Sequence, residues 1–250
     1  MDTTQVTPAP EAKPLSQGER IIDTFIAPSK TFTDLKRSAS WWLPFLIIAV
    51  VTVAFAYVVD TKITFRQVAE NQNAASPKAT QRMEQMPSDQ RARTINAQAV
   101  GTKYVSYAFP IILLILYAIF AGLYLATFKF GLGADLKFKV SLAVVVYGAL
   151  PQVLKTLLAM VSMAAGANPE SFVLQNPVAT NPGYFLSQAD SPFLFGILSA
   201  VDVFMIWSLI ITAIGYSCVT KVKRSTSLIV LFGWYLAVTL FFASLGAMFS

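Results

Sequence analysis

The chain has 250 residues, of which 55% are apolar and 13% charged, against about 25% charged in an ordinary soluble domain. Its few charges are clustered between long uncharged stretches, which excludes a soluble globule and marks a polytopic membrane protein. It has no His, and Cys218 is its single cysteine, which excludes imidazole catalysis, imidazole metal ligands, an internal disulfide and a C-x-x-C pair.

Residues 1–18 are polar and rich in Pro and Thr. They read as a disordered tail rather than a signal peptide, because no apolar stretch follows a short basic start. The rest, 19–250, reads as one membrane domain. Residues 19–38 predict one or two short helices, with Ile21, Ile22, Phe25 and Ile26 at helical spacing and Phe32 and Leu35 repeating the step. Pro28 lacks an N–H, so it ends the first helix or opens the second. With Lys30, Lys36 and Arg37 on the basic side, this is an amphipathic interfacial helix with Phe25, Ile26 and Phe32 toward lipid. A second placement, packed on the protein's own cytosolic loops, fits the same residues.

Five apolar segments follow, at 41–59, 104–128, 140–165, 193–219 and 228–249. Each is near or above the roughly 20 residues needed to cross about 30 Å of hydrocarbon. The expected fold is therefore all-α, with five transmembrane helices plus the N-terminal interfacial helix. Five crossings put the termini on opposite sides. Lys129, Lys137 and Lys139 lie in one short turn and Lys221, Lys223 and Arg224 in another, whereas 166–192 holds no Lys or Arg. By the positive-inside rule the N-terminus is cytoplasmic and the C-terminus outside. The loop 61–103 runs against this, with Lys62, Arg66, Lys78, Arg82, Arg91, Arg93 and Lys103 opposing Glu70, Glu84 and Asp89, but long loops weigh less in the rule.

The two outer loops differ in character. Residues 62–74 can extend the first span as helix, and Ser88 can cap a helix over 89–99. Residues 166–192 contain Asn-Pro three times and predict turns. Phe172, Val173, Leu174, Tyr184, Phe185 and Leu186 are too apolar for free solution and are expected to fold back onto the bundle or the outer membrane face.

Lys155 and Asp202 are the ionisable residues that stand well inside apolar segments. An unpaired charge there costs about 2.5–3.5 kcal/mol, so a partner or a water path is expected. At 1.5 Å per residue Lys155 lies about 15 Å below the outer end of its span and Asp202 about 12 Å below the same surface. Opposite charges at matching depth on consecutive antiparallel spans can meet. A buried salt bridge that fixes helix faces is the favoured reading, because one Lys and one Asp make a poor proton relay. An ion-handling site is the alternative. Pro151 frees a carbonyl near Lys155, which keeps that alternative open.

Weaker signals complete the inventory. Gly196-x-x-x-Ala200 and Ala243-x-x-x-Ala247 allow close helix approach. Gly131-Leu132-Gly133 is a turn and not a phosphate loop, since no G-K-[ST] follows. Cys218 reads as a plain small membrane residue, with palmitoylation chemically possible. No nucleophile–base pair, metal cluster or basic–aromatic platform is present, so the expectation is no enzyme, no catalytic residue, no cofactor and no nucleic-acid partner. The expected partners are the anionic headgroups of the bilayer, other proteins or a second copy of the chain.

Several short stretches resemble bacterial members of the Yip family, multi-pass proteins named after relatives that interact with Ypt and Rab GTPases. They are Phe25-Ile26-Ala27-Pro28-Ser29-Lys30-Thr31-Phe32 leading to Trp41-Trp42-Leu43-Pro44, then Tyr147-Gly148-Ala149-Leu150-Pro151, then Asp202 to Trp207 followed by Ile214-Gly215. The resemblance implies a five-span helical domain with a cytosolic N-terminus, and a bacterial cytoplasmic membrane as its place. Its family-like positions are Pro28, Pro44, Tyr147, Gly148, Pro151, Trp207 and Gly215. Eukaryotic members bind Rab GTPases and act in trafficking and membrane shaping. This chain lacks their Asp-Leu-Tyr-Gly-Pro motif, of which only Pro44 remains, and its N-terminal region is very short, so Rab binding does not carry over. The implied function is a non-enzymatic organiser or adaptor, with a small transporter or channel using Lys155 and Asp202 as the alternative.

Overall fold

The computed structural model describes residues 14–249, so most of the expected tail lies outside the described residues. The N-terminal helix α1, Gln17–Ile26, begins inside the stretch read as tail. Ser16 and Glu19 form a reciprocal capping box: Glu19 N–H donates to Ser16 Oγ at 3.2 Å and Ser16 N–H to Glu19 Oε2 at 2.7 Å. Pro28 occupies the first turn of α2, Pro28–Asp34, where its missing N–H costs nothing.

Eleven α-helices and no strands make up the described residues. After the N-terminal pair come α3 Trp42–Lys62, α4 Phe65–Ala74, α5 Pro77–Glu84 and α6 Ser88–Ala126. Then follow α7 Phe138–Gly148, α8 Pro151–Ala164, α9 Pro192–Ala200, α10 Val203–Thr220 and α11 Arg224–Phe249. Five spans are long and apolar enough to cross a membrane: α3, α6 with its terminal π-turn, the α7–α8 pair, α10 and α11. The protein is thus an all-α polytopic membrane protein. Ile111, Ile115 and Ile119 of α6 and Phe241 and Phe242 of α11 are exposed on its flanks, which is the arrangement lipid favours.

Four local expectations are corrected. The first span does not continue through 62–74: the chain turns at Thr64, φ +76°, whose hydroxyl accepts from Gln67 N–H to start α4 anew. Ser88 does not cap, since Pro87 holds the cap position and Ser88 is the first residue of α6. That helix then runs through 89–99 into the second span without a break. Segment 140–165 is divided at Ala149–Leu150, because Pro151 cannot donate the bond that would continue α7. Segment 193–219 is likewise no single helix, as α9 stops at Ala200 and α10 restarts after Asp202.

Two apolar clusters hold the bundle together. The larger joins α2, α6, α7 and α10 around Phe32, Phe128, Tyr147 and Tyr216. Phe128 stacks on Tyr216 with ring centroids 4.6 Å apart. Ser141 Oγ donates to Ala121 O at 2.7 Å and lies 2.6 Å from Tyr216 OH, so three helices share one buried hydrogen-bonded node. The smaller cluster packs Val59, Ile63, Val68, Ala99, Met163 and Phe172 at the far end. Of the apolar loop residues, Phe172 is buried there and Leu174 packs beside it, whereas Tyr184 and Phe185 are exposed.

Candidate functional site

The structure brings Lys155 and Asp202 together, with Nζ 2.9 Å from Oδ2. It also gives Asp202 a role that the span reading missed. Asp202 is the N-cap of α10: its Oδ1 accepts from Phe204 N–H at 3.0 Å and Met205 N–H at 3.1 Å, satisfying two of the helix's orphan donors. Its Oδ2 accepts from Thr180 Oγ1 and Asn181 Nδ2 of the 166–192 loop as well as from Lys155. Asn181 and Asn176 bond each other in both directions, at 2.7 and 3.1 Å. The carboxylate therefore has five donors, two of them on a positive helix end. Lys155 has Asp202 as its single polar partner among the described residues. The pair is sealed unevenly, with side-chain exposures of 19% for Lys155 and 3% for Asp202.

Lys155 also lines a cavity of about 970 Å³ between α3, α6, α8, α10 and α11. The lining positions of α6 recur from Gly101 through Phe109 and Tyr117 to Tyr124 as one stripe of the helix. Those 23 steps span about 34 Å at 1.5 Å each, close to the hydrocarbon thickness of a bilayer. The walls are mainly apolar. Its neutral polar side chains include Thr52 of α3, Thr102 and Ser106 of α6, Gln152 and Thr156 of α8, and Ser208 and Thr212 of α10. Gln152 Nε2 donates to Ser208 Oγ at 3.2 Å, which ties α8 to α10 along the wall.

The predicted interfacial residues divide between two environments. Phe32 is not turned to lipid: it is fully buried and wedged against α10, where a Cβ on Gly215 would fall 2.8 Å from its Cε1 and 2.7 Å from Val144 Cγ1. Phe25 packs edge-on against Trp207 with centroids 5.7 Å apart. Ile26, by contrast, is 75% exposed, and Lys36 and Arg37 are exposed. The face of α1 turned to the bundle carries the fully buried Arg20 and Thr24, with Ile21 and Phe25 packed beside them. Arg20 Nε donates to Asp34 Oδ2 at 2.7 Å and its Nη1 to Ser38 O at 2.9 Å, while Thr24 and Thr31 hydroxyls donate to Arg20 O. Asp34 also receives Arg37 Nε at 3.0 Å. Burial alone would push the Asp34 carboxyl up, but the hydrogen bonds from Arg37 and Arg20 outweigh it and hold its pKa below the usual 3.8.

The remaining family-like positions are structural. A Cβ on Gly148 would lie 2.0 Å from Thr212 Oγ1 and 3.2 Å from its Cα, so α7 and α10 touch backbone to backbone there. Tyr147 is buried and its hydroxyl donates to Gln17 Oε1 at 3.2 Å. Pro151 opens α8, and Pro44 is buried in the first turn of α3. Gly196 of one small-residue pattern faces Ala243 of the other, with a Cβ at Gly196 meeting that of Ala243 at 3.2 Å. Cys218 is half-buried against the larger cluster. Arg20, Asp34, Thr180 and Asn181 were not singled out from sequence, and Asp202 gave no N-cap signal because apolar residues flank it on both sides.

Fold and site together define a multi-pass helical membrane protein whose intramembrane charges are paired. A family model described as the Yip1 domain matches residues 22–246, and the chain belongs to that family. No curated protein and no solved structure matches it.

Proposed function

We propose that this chain is a non-enzymatic membrane organiser or adaptor of the bacterial cytoplasmic membrane. It works through its lipid-facing flanks and a cytosolic face built from the α1–α2 pair, with proteins or a second copy of the chain as partners. The observation that carries the reading is the saturation of Asp202 by five donors, which makes the charged pair a clamp between α8, α10 and the outer loop. A carboxylate so held is poorly suited to exchange protons or ions. Arg224 donates to Ser29 Oγ at 3.3 Å, so the two basic regions around Lys30 and Lys223 share a face, which favours a cytosolic N-terminus. Reporters after Ser225 and after Ser250 should then read inside and outside respectively.

The transporter reading retains one supporting observation, the cavity beside Lys155. Purified protein in liposomes loaded with a pH-sensitive dye separates the two. The organiser reading expects proton and ion leak equal to empty liposomes, and a flux abolished by Lys155→Met would replace it.

A further inference from the structure

The cavity contains donors that the protein leaves without acceptors. Thr102 and Ser106 line it from α6 and have no hydrogen-bond partner among the described residues, unlike Thr52, which bonds back to Ile48 O at 2.7 Å. Lys155 has Asp202 as its one polar partner among the described residues and lines the same chamber. Ala99 of α6 and Met163 of α8 both belong to the smaller cluster, which gives the two helices a common reference point. Going down from there, seven residues along α6 reach Ser106 and eight along α8 reach Lys155, about 10–12 Å in each case. Lys155 and the Ser106 hydroxyl thus line the chamber at about one depth, with Thr102 about one helical turn nearer the smaller cluster, in a setting where polar groups without partners are costly. Below them the shaft continues past Phe109, Leu113, Tyr117 and Phe120.

We propose that this cavity binds one anionic phospholipid of the surrounding bilayer, its phosphate on Lys155 and Ser106 and its acyl chains in the shaft along α6. The volume of about 970 Å³ lies at the upper end of the roughly 300–1,000 Å³ of ligand pockets. Asp202 leaves Lys155 only partly neutralised, because that carboxylate is shared with Thr180, Asn181 and the N-terminus of α10. No Asp or Glu lines the cavity to receive a choline or ethanolamine ammonium, so the site selects headgroups without a cation. Entry from the bilayer is between α6 and α11, where Trp234 Nε1 to Thr127 Oγ1, 3.1 Å, is the hydrogen bond recorded between the two helices among the described residues. The proposal does not depend on the organiser reading.

The test uses the full chain purified in a neutral detergent, with phosphatidylglycerol, phosphatidylcholine and oleate added and bound molecules counted by native mass spectrometry. Wild type should retain phosphatidylglycerol about tenfold better than phosphatidylcholine, the value of one charge-assisted hydrogen bond. Lys155→Met should remove the preference and Lys155→Arg keep it. Ser106→Trp, which leaves the ion pair in place, should cut bound phosphatidylglycerol at least fivefold by filling the chamber. Ile229→Trp on the exposed face of α11 should change nothing. Equal retention of the two phospholipids, or unchanged retention in Ser106→Trp, overturns the proposal, since binding would then be to the outer flanks. Oleate retained as well as phosphatidylglycerol overturns the phospholipid assignment.

Discussion

The five-donor environment of Asp202 makes the two halves of its ion pair unequal. Asp202→Leu removes the α10 cap, worth about 1 kcal/mol. It strands the Thr180 and Asn181 donors, at about 1–3 kcal/mol for a buried group. It also leaves Lys155 unpaired in hydrocarbon, where breaking a buried pair costs about 3–5 kcal/mol. These terms overlap, and a total of about 5 kcal/mol is expected. Lys155→Met removes one donor of five and leaves the carboxylate against a helix N-terminus, so about 1.5–3 kcal/mol is expected, the value of one charged hydrogen bond. The double variant restores only the stranded-charge part and should fall between the singles. Exchanging the residues should not help, because a lysine at position 202 puts a cation on the positive end of α10. Tryptophan-fluorescence melting in detergent measures all four variants. Equal losses in the two singles, or a double variant at least as stable as Lys155→Met, would show that cap and loop contacts carry no weight.

Gly148→Ala places a methyl within 3.2 Å of the Thr212 backbone and should cost about 1–3 kcal/mol, seen as a lower melting temperature that Thr212→Ala restores only in part. Phe32→Ala should cost about 3–5 kcal/mol as a buried aromatic, whereas Ile26→Ala should leave melting unchanged and instead weaken protection of α1 from protease in liposomes. Because Asp34 titrates below its ordinary value, its contribution is whole above about pH 4 and drains away as pH falls through the lowered folded value. Acid should therefore undock the α1–α2 pair, read as a change in Trp207 emission against Phe25, and Asp34→Asn should remove that acid step while lowering stability at neutral pH.

The spans were legible in the sequence because length and apolarity are what hydrocarbon selects, and the Lys155–Asp202 meeting was legible because charge at that depth demands a partner. The break at Asp202 was not. Val201 and Val203 flank it with the apolarity of a span interior, and two of its five donors come from a loop some twenty residues upstream, beyond the reach of any local pattern. The orientation of α1 was misread for a different reason. The reading turned Phe25, Ile26 and Phe32 together toward lipid; Ile26 does face outward, but Phe32 and Phe25 pack on α10 and Arg20 and Thr24 are sealed in beneath them. The contacts of Arg20 with Asp34 Oδ2 and Ser38 O, fourteen and eighteen residues away, close that face, and sequence spacing does not announce them.

The wedge of Phe32 into the groove at Gly215 ties α2 to a helix that is synthesised about 180 residues later. Trp207 meets Phe25 and Arg224 meets Ser29 across comparable distances along the chain. During synthesis the α1–α2 pair has no seat until α7 and α10 are both inserted and paired. A chain that has not reached that point carries an unburied Phe32. The docking of this pair is therefore a late step of folding, which waits on the pairing of α7 with α10.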